Sequence, residues 1–217
     1  MPWTARIDRP VAARYHQDMG TAARRKFCFV CAMALSWGAM QAQGAQVLHV
    51  QVTRDDGRFL IGMQIMIDAP PPAVFRALQD YGAMMRYNPD LRAVRVQSTG
   101  VPDRVRLFTT IHTCVLIFCK TMHQEQTMTA TAGADGGVLE AKLLPRGGAF
   151  KAGGGRWTVR ACRAMPSTTC LDARLELVPA FWVPPIIGPW VLRRKMTEEA
   201  RRTSAGLERM ARSSRTR

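Results

Sequence analysis

The feature that most limits how this chain can fold is a 27-residue stretch, residues 104–130, that contains neither glycine nor proline and has the composition of a β-strand. Strands in globular proteins usually run ~3–10 residues, so this stretch must turn near its middle. In both arms, less polar side chains alternate with more polar ones. If the numbers of paired residues sum to 233, the less polar sides share one face and Cys114 lies opposite Cys119. The pattern therefore predicts a long antiparallel hairpin.

A second hairpin is predicted further along the chain by the same alternation. Pairing residues whose numbers sum to 332 places Arg160 opposite Asp172, and facing opposite charges favour a register by a few tenths of a kcal/mol. Residues 165–168 then form the turn. In this register Cys162 lies opposite Cys170.

Both hairpins thus bring two cysteines together. Directly opposed residues lie ~4.5–5.5 Å apart, within reach of a disulfide. In an oxidising compartment we predict the disulfides Cys114–Cys119 and Cys162–Cys170, both on the outward face. The alternatives are free thiols and a four-cysteine metal site. Neither pair has the Cys-x₂-Cys spacing of zinc sites, so no metal and no cofactor is predicted.

The rest of the chain reads as one α+β domain. Alternating runs meet at Asp56-Gly57, a strong hairpin signal, and a proline cluster at residues 70–72 suits the first turn of a helix. The final stretch lacks helix breakers over most of its length. The elements expected outside the two hairpins are strands at 47–53, 59–67 and 91–97, short helices at 73–79 and 81–87, and a long helix at about 185–211.

The N-terminal segment has the features of an export signal. Arg24-Arg25-Lys26 precede an apolar stretch of 14 residues, and small residues follow. This order is typical of a secretory signal peptide, with cleavage after Gly44 or Ala45. The alternative is an uncleaved anchor, but 14 residues fall short of the ~20 that span a bilayer. We therefore expect residues 1–45 to be an extension and signal peptide, residues 46–217 to be the mature domain, and the protein to be periplasmic.

The charge of the chain is strongly basic but unevenly distributed. The full chain has a formal net charge of +15. Without residues 1–45 it is +11, and residues 193–217 alone contribute +6. Because the excess lies largely on one terminal segment of an exported protein, nucleic acid is not an expected partner. With 47% hydrophobic residues the chain can bury a core, which excludes intrinsic disorder.

Three segments resemble a known family. They are Phe75-Arg76-Ala77-Leu78-Gln79-Asp80-Tyr81, then Met85-Arg86-Tyr87-Asn88-Pro89-Asp90-Leu91, and Phe181-Trp182-Val183-Pro184-Pro185-Ile186-Ile187-Gly188-Pro189-Trp190. In this order they resemble the START-like (SRPBCC) superfamily, in its polyketide cyclase/dehydrase and coenzyme Q-binding branch of exported bacterial type. The resemblance covers roughly residues 58–212.

The resemblance implies a helix-grip fold. A curved antiparallel sheet wraps around a long C-terminal helix, and two short helices follow the first long strand. An apolar cavity lies between sheet and helix, and members bind lipids, quinones, sterols or polyketides. We accordingly expect periplasmic binding or transport of a hydrophobic small molecule, a lipid or an isoprenoid quinone-like compound. The alternatives are a polyketide cyclase or dehydratase and a protein-interaction module.

The two registers predict which residues face this cavity. Four large side chains are expected to line or close it, namely Leu107, Trp157, Leu175 and Trp190. Gln124 and Gln126 are expected on the same face. A buried amide without a partner costs ~1–3 kcal/mol, so the two glutamines either bond water or each other near an open rim, or orient a ligand head group such as a quinone carbonyl.

Catalytic residues are not predicted. His49, His112 and His123 lack metal-ligand spacing with one another or with a carboxylate, and no nucleophile or phosphate-binding motif occurs, so an enzyme is the less favoured hypothesis.

An anionic membrane surface is a predicted partner. The residues expected to contact it are the apolar hairpin tip, with Leu116 and Phe118, and the basic residues Arg193, Arg194 and Lys195. The alternatives without a functional role are that the hairpin tip packs under a neighbouring loop and that the basic residues form an ordinary solvated face of the helix.

Overall fold

Eight strands and three helical segments make up the described part of the protein. The computed structural model describes residues 44–115, 118–145, 149–183 and 188–214. The strands are β1 (Gln46–Asp55), β2 (Arg58–Ile67), β3 (Leu91–Ser98), β4 (Arg104–Val115), β5 (Phe118–Gly133), β6 (Gly136–Leu144), β7 (Phe150–Cys162) and β8 (Met165–Pro179). The helices are α1 (Pro71–Gln79), a 3₁₀ helix (Tyr81–Arg86) and α2 (Gly188–Ser213).

The strands form one curved antiparallel sheet in the order β1-β2-β8-β7-β6-β5-β4-β3. The long helix α2 packs against β1, β2 and α1, and α1 in turn reaches β6, β7 and β8. We call the side of the sheet that the helices cover the concave face. The predicted α+β helix-grip architecture is confirmed.

The first hairpin has the predicted register. β4 and β5 pair from Arg104 with Thr129 to Val115 with Phe118, so paired numbers sum to 233 throughout. Cys114 lies opposite Cys119, and the two are joined by a disulfide.

The second hairpin departs from the predicted register by two residues. Arg160 pairs with Cys170 rather than with Asp172, because the chain turns at residues 163–164 and β8 already begins at Met165. An irregularity between Ala161 and Cys162 then brings Cys162 opposite Met165. The Cys162–Cys170 disulfide still forms, with Cα atoms 5.0 Å apart, and Cys162 is 5% exposed.

The charge pairs of the second hairpin are correspondingly rearranged. Arg160 reaches Asp172 diagonally at 2.9 Å, whereas Arg156 turns to Glu140 on β6 at 2.5 Å. A shift of two residues keeps every side chain on its face, because successive strand residues alternate between faces. The predicted inward set of β7 and β8 is therefore unaffected.

The core lies between the concave face and the helices. Val74 and Phe75 of α1 belong to one buried cluster with sheet residues that include Ile67 and Leu107, and α2 adds Leu207. At Gly206 of α2 the helix passes so close to Tyr87 that an added Cβ would lie 2.6 Å from the Tyr87 Cα atom. This contact fixes α2 against the segment that follows the 3₁₀ helix. Within the described ranges, no helix is long and apolar enough to span a membrane.

Candidate functional site

The concave face has a closed half and a more open half. Around α1 its side chains are buried in the core, among them Met128, Leu139 and Val159. Further from α1 the same strands carry side chains that are only half-buried, including Leu175 on β8 and Met122 on β5. Apolar side chains that stay partly exposed on a helix-covered face are suited to contact a ligand.

Trp157 and Leu175 form the apolar centre of this open half. A Cβ atom added to Gly155 would lie 2.6 Å from Cη2 of Trp157 and 2.8 Å from Cδ2 of Leu175, so both side chains meet over this glycine. Trp157 is half-buried and packs against the core cluster. The absence of a side chain at Gly155 leaves the space that the indole ring occupies.

Polar side chains interrupt the apolar surface on the neighbouring strands. Leu107, fully buried, pairs with Gln126, and Thr109 pairs with Gln124. Both glutamines are half-buried. The Thr109 residue is 4% exposed, and its buried Oγ1 atom has no hydrogen-bond partner among the residues that the structure describes. A buried hydroxyl in this state costs about 1–3 kcal/mol, so a ligand group that bonded it would recover that free energy.

A charged cluster links α2 to the beginning of β3. The Lys195 ammonium lies 3.0 Å from Asp90 and 2.8 Å from Glu199, and all three side chains are about 16% exposed or less. Burial alone would raise the pKa of Asp90, but hydrogen bonds from Thr113 and Lys195 outweigh it and hold the pKa below its ordinary value. Burial would likewise lower the pKa of Lys195, yet its bonds to Glu199 and Asp90 raise it.

The acids of this cluster were not predicted from the sequence. Asp90 and Glu199 are largely buried, whereas no inward acid was expected. Because the pKa of Asp90 is lowered and that of Lys195 raised, both stay charged at neutral pH. A group that keeps its charge this firmly is poorly suited to carry a proton in general acid–base catalysis.

The remaining residues that the sequence predicted for the cavity or the membrane contact do not lie together in the structure. Trp190 is 61% exposed, so the prediction that it closes the cavity does not describe this structure. Lys195 turns inward to its ion pairs, whereas Arg193 and Arg194 are exposed. Leu116 lies outside the described residues, as does the side chain of Phe118.

The convex face carries the two histidines of the first hairpin. His123 Nδ1 lies 3.1 Å from the Thr110 hydroxyl, and His112 Nδ1 lies 3.0 Å from the Thr121 hydroxyl. Each histidine thus has a cross-strand partner on the side of the sheet away from Trp157.

Comparison with known proteins supports the fold. No protein-family model matches the chain, and no curated protein matches it by sequence. Among solved structures, the Zhui aromatase/cyclase from Streptomyces aligns with a TM-score of 0.55 at 14% identity, covering 74% of this chain and 96% of that one.

Two lipid-transfer proteins align comparably. A STAR-related lipid transfer protein from Xanthomonas axonopodis gives a TM-score of 0.54 at 14% identity, covering 75% of this chain and 98% of that one. The lipid transfer and protein localization domain of human StarD13 gives 0.58 at 10% identity, covering 76% and 89%. These alignments confirm the predicted helix-grip fold.

Proposed function

We propose that this START-like fold binds and carries a hydrophobic small molecule, a lipid or an isoprenoid quinone-like compound, on the open half of its concave face. The observation that supports this best is the combination on one surface of half-buried apolar side chains, Trp157 and Leu175, with the unpartnered hydroxyl of Thr109. Burying an apolar ligand there would contribute ~25 cal/mol per Å² removed from water. Aligned structures named as lipid transfer proteins agree with this proposal.

Binding is favoured over catalysis by the chemistry of the acids. Some aligned structures are named aromatase/cyclases, so a cyclase or dehydratase is the second candidate. Such a reaction requires an acid or base near the substrate that can exchange a proton. The inward carboxylates Asp90 and Glu199 are instead committed to Lys195, and the buried Glu208 of α2 is paired with Arg212, so all three form structural ion pairs.

The polar group of the ligand would bond Thr109, flanked by the side chains of Gln124 and Gln126. The Thr109 hydroxyl and the two glutamine amides can each form a hydrogen bond with either a carbonyl or a hydroxyl group of the ligand. A long apolar tail would then extend along Trp157 and Leu175. This arrangement suits a quinone or a lipid ester better than a pure hydrocarbon.

Thr109→Val tests this assignment. The variant replaces the unpartnered hydroxyl with a methyl group, so the ligand-free protein should be as stable as the wild type or more stable by about 1 kcal/mol. Its affinity for decylubiquinone, measured by tryptophan fluorescence, should fall several-fold, which corresponds to one hydrogen bond of about 1 kcal/mol.

The matched control is Thr110→Val on the opposite face of the same strand, where the hydroxyl bonds His123. It should leave the affinity unchanged. If both variants bound decylubiquinone as tightly as the wild type does, Thr109 would not bond the polar group of the ligand, and that group would have to be assigned elsewhere.

Export to the periplasm is proposed from the disulfides. Two disulfides are suited to an oxidising compartment. Residues 1–43, which hold the basic run and the apolar stretch of the predicted signal, lie outside the described residues. We expect protein recovered from the periplasm to begin at Ala45 or Gln46. Mass analysis of the intact chain measures this directly, and a periplasmic protein that still contained residue 20 would contradict the prediction.

We also propose that the protein delivers its ligand at an anionic membrane surface. Trp182 is 77% exposed, Phe181 is partly exposed with the Lys120 ammonium 4.3 Å from its ring centre, and Trp190 is exposed beside Arg193 and Arg194. Exposed aromatic and basic residues suit the interface of a bilayer with anionic lipids.

A further inference from the structure

The end of the β4–β5 hairpin brings three metal-ligating side chains together. Cys114 and Cys119 form a disulfide there, and His112 Nε2 lies 4.0 Å from Cys114 Sγ. The ligand atoms of these three residues all lie within 4.8 Å of one another. This cluster lies on the convex face, away from the proposed ligand site, and no role in ligand binding accounts for it.

We propose that reduction of the Cys114–Cys119 disulfide creates a zinc site made of His112, Cys114 and Cys119. Two thiolates and one imidazole are a ligand set that zinc accepts in proteins, with a fourth position left for water. Zinc bonds sulfur at ~2.3 Å and nitrogen at ~2.0–2.1 Å, so ligand atoms around it lie within about 4 Å of one another. The spacing at the hairpin end already approaches that arrangement.

The orientation of His112 supports the assignment. Its Nδ1 atom lies 3.0 Å from the Thr121 hydroxyl across the hairpin. With Nδ1 protonated and donating to Thr121, the lone pair of Nε2 is directed toward the sulfur atoms. Metal-bound histidines in proteins are commonly held in this manner through the other ring nitrogen.

A dithiol can act as the reductant of the Cys114–Cys119 disulfide. The dithiol gives two electrons to the Cys114–Cys119 bond and leaves as its own disulfide, and two cysteine thiols form. Zinc then binds the two sulfurs as thiolates and displaces their two protons to solvent, while neutral His112 binds through Nε2. When a disulfide oxidant later takes two electrons from the thiolates, it leaves as a dithiol with two protons from solvent, the Cys114–Cys119 bond forms again and zinc is released, so zinc occupancy follows the redox state.

The second cysteine pair provides the contrast. Among the residues that the structure describes, the hairpin end is the one place where the ligand atoms of three such side chains lie within 4.8 Å of one another. Cys162 is 5% exposed and its pair has no histidine in such a cluster. Cys-x₂-Cys spacing alone does not reveal a site in which histidine supplies the third ligand.

Zinc titration of the reduced protein tests the proposal. We would use the full chain with Cys28→Ser and Cys31→Ser, so that these N-terminal thiols cannot compete, and reduce it with a phosphine under argon. Zinc affinity and stoichiometry are measured against a chromophoric chelator, and Co²⁺ is added in parallel to detect thiolate-to-cobalt charge-transfer absorption.

Variants at the hairpin end identify the side chains that bind the metal. His112→Ala should weaken zinc binding by at least about 100-fold, and Thr121→Val by about 10-fold, since changes outside the ligands already cost 10–100-fold. His123→Ala, a histidine on the same face with its own threonine partner, should leave the affinity unchanged. Cys162→Ser/Cys170→Ser should keep about one zinc ion per chain.

The expected result is therefore about one zinc ion in the reduced protein and none in the oxidised protein. Circular dichroism shows whether the Cys162→Ser/Cys170→Ser variant folds. If it does not, the Cys114→Ser/Cys119→Ser variant at the exposed hairpin end is used instead, and it must abolish zinc binding. Zinc binding that survives His112→Ala, that persists in the oxidised protein, or that is absent from the reduced wild type would overturn the proposal.

Discussion

Gly206→Ala is expected to lower the free energy of unfolding by about 3 kcal/mol, the upper part of the range for overpacked sites. The added Cβ would lie 2.5 Å from Cβ and 2.6 Å from Cα of Tyr87. The Tyr87 Cα atom belongs to the backbone and cannot rotate away, so α2 or the segment after the 3₁₀ helix must move. Tyr87 is itself buried, which leaves little room for that movement.

The sign of the effect makes this test decisive. Helix propensity alone predicts that alanine in place of glycine stabilises a helix interior by about 1 kcal/mol. Urea unfolding of the wild type and the variant measures the difference. Gly62→Ala is the control, because an added Cβ there meets no heavy atom of the described residues within 4 Å. A more stable Gly206→Ala variant would contradict the close packing of α2 on Tyr87.

Trp157→Ala is expected to lower the affinity for decylubiquinone by at least about 10-fold. It should also destabilise the protein by up to about 3 kcal/mol, because Trp→Ala at a fully buried site costs about 3–5 kcal/mol and this side chain is half-buried. The indole ring packs on the core cluster on one side and meets Leu175 over Gly155. Its removal deletes the largest apolar side chain named in the proposed site.

Trp190→Ala is the matched control for this variant. Trp190 is 61% exposed on α2, so its removal should change stability by less than about 0.5 kcal/mol and leave decylubiquinone affinity unaltered. It should instead weaken binding to vesicles that contain anionic phosphatidylglycerol, if this surface contacts the membrane. If Trp190→Ala lowered ligand affinity and Trp157→Ala did not, the two tryptophans would have to exchange roles.

The two hairpins show how far alternation in a sequence can predict a sheet. In β4 and β5 it predicted the register correctly, including the pairing of Cys114 with Cys119. In β7 and β8 the same pattern led to a register that is wrong by two residues. A shift of one residue would have moved every side chain to the other face, but a shift of two moves none, so alternation cannot distinguish the two registers. The tight turn at residues 163–164 decides between them.

The long helix shows a different limit. Ala200, Ser204, Leu207 and Ala211 recur at helical spacing and are the buried face of α2. The residue type of Trp190 suggested an inward side chain, although its exposed position follows from the packing of α2 against β1, β2 and α1. In α2 the recurring spacing of these residues marks the buried face, whereas the size of Trp190 does not.

The charged cluster and the Thr109 hydroxyl depend on contacts between residues distant in the sequence. Lys195 meets Asp90 across more than 100 residues, so no local pattern predicted that it would turn inward. Thr109 lies in a strand of ordinary alternation, and its burial follows from its place opposite Gln124 on the covered face. The face of Thr109 was predictable from alternation, whereas the inward turn of Lys195 and its partner were not.

Identification of the molecules that co-purify with the protein tests the proposed function most directly. The protein would be isolated from its native compartment without detergent, extracted with organic solvent, and analysed by mass spectrometry beside Trp157→Ala and Trp190→Ala. We predict about one lipid or quinone-like molecule per chain in the wild type and in Trp190→Ala, and much less in Trp157→Ala. A wild-type protein that carried no hydrophobic molecule and bound neither decylubiquinone nor phospholipid when these were supplied would contradict the proposal.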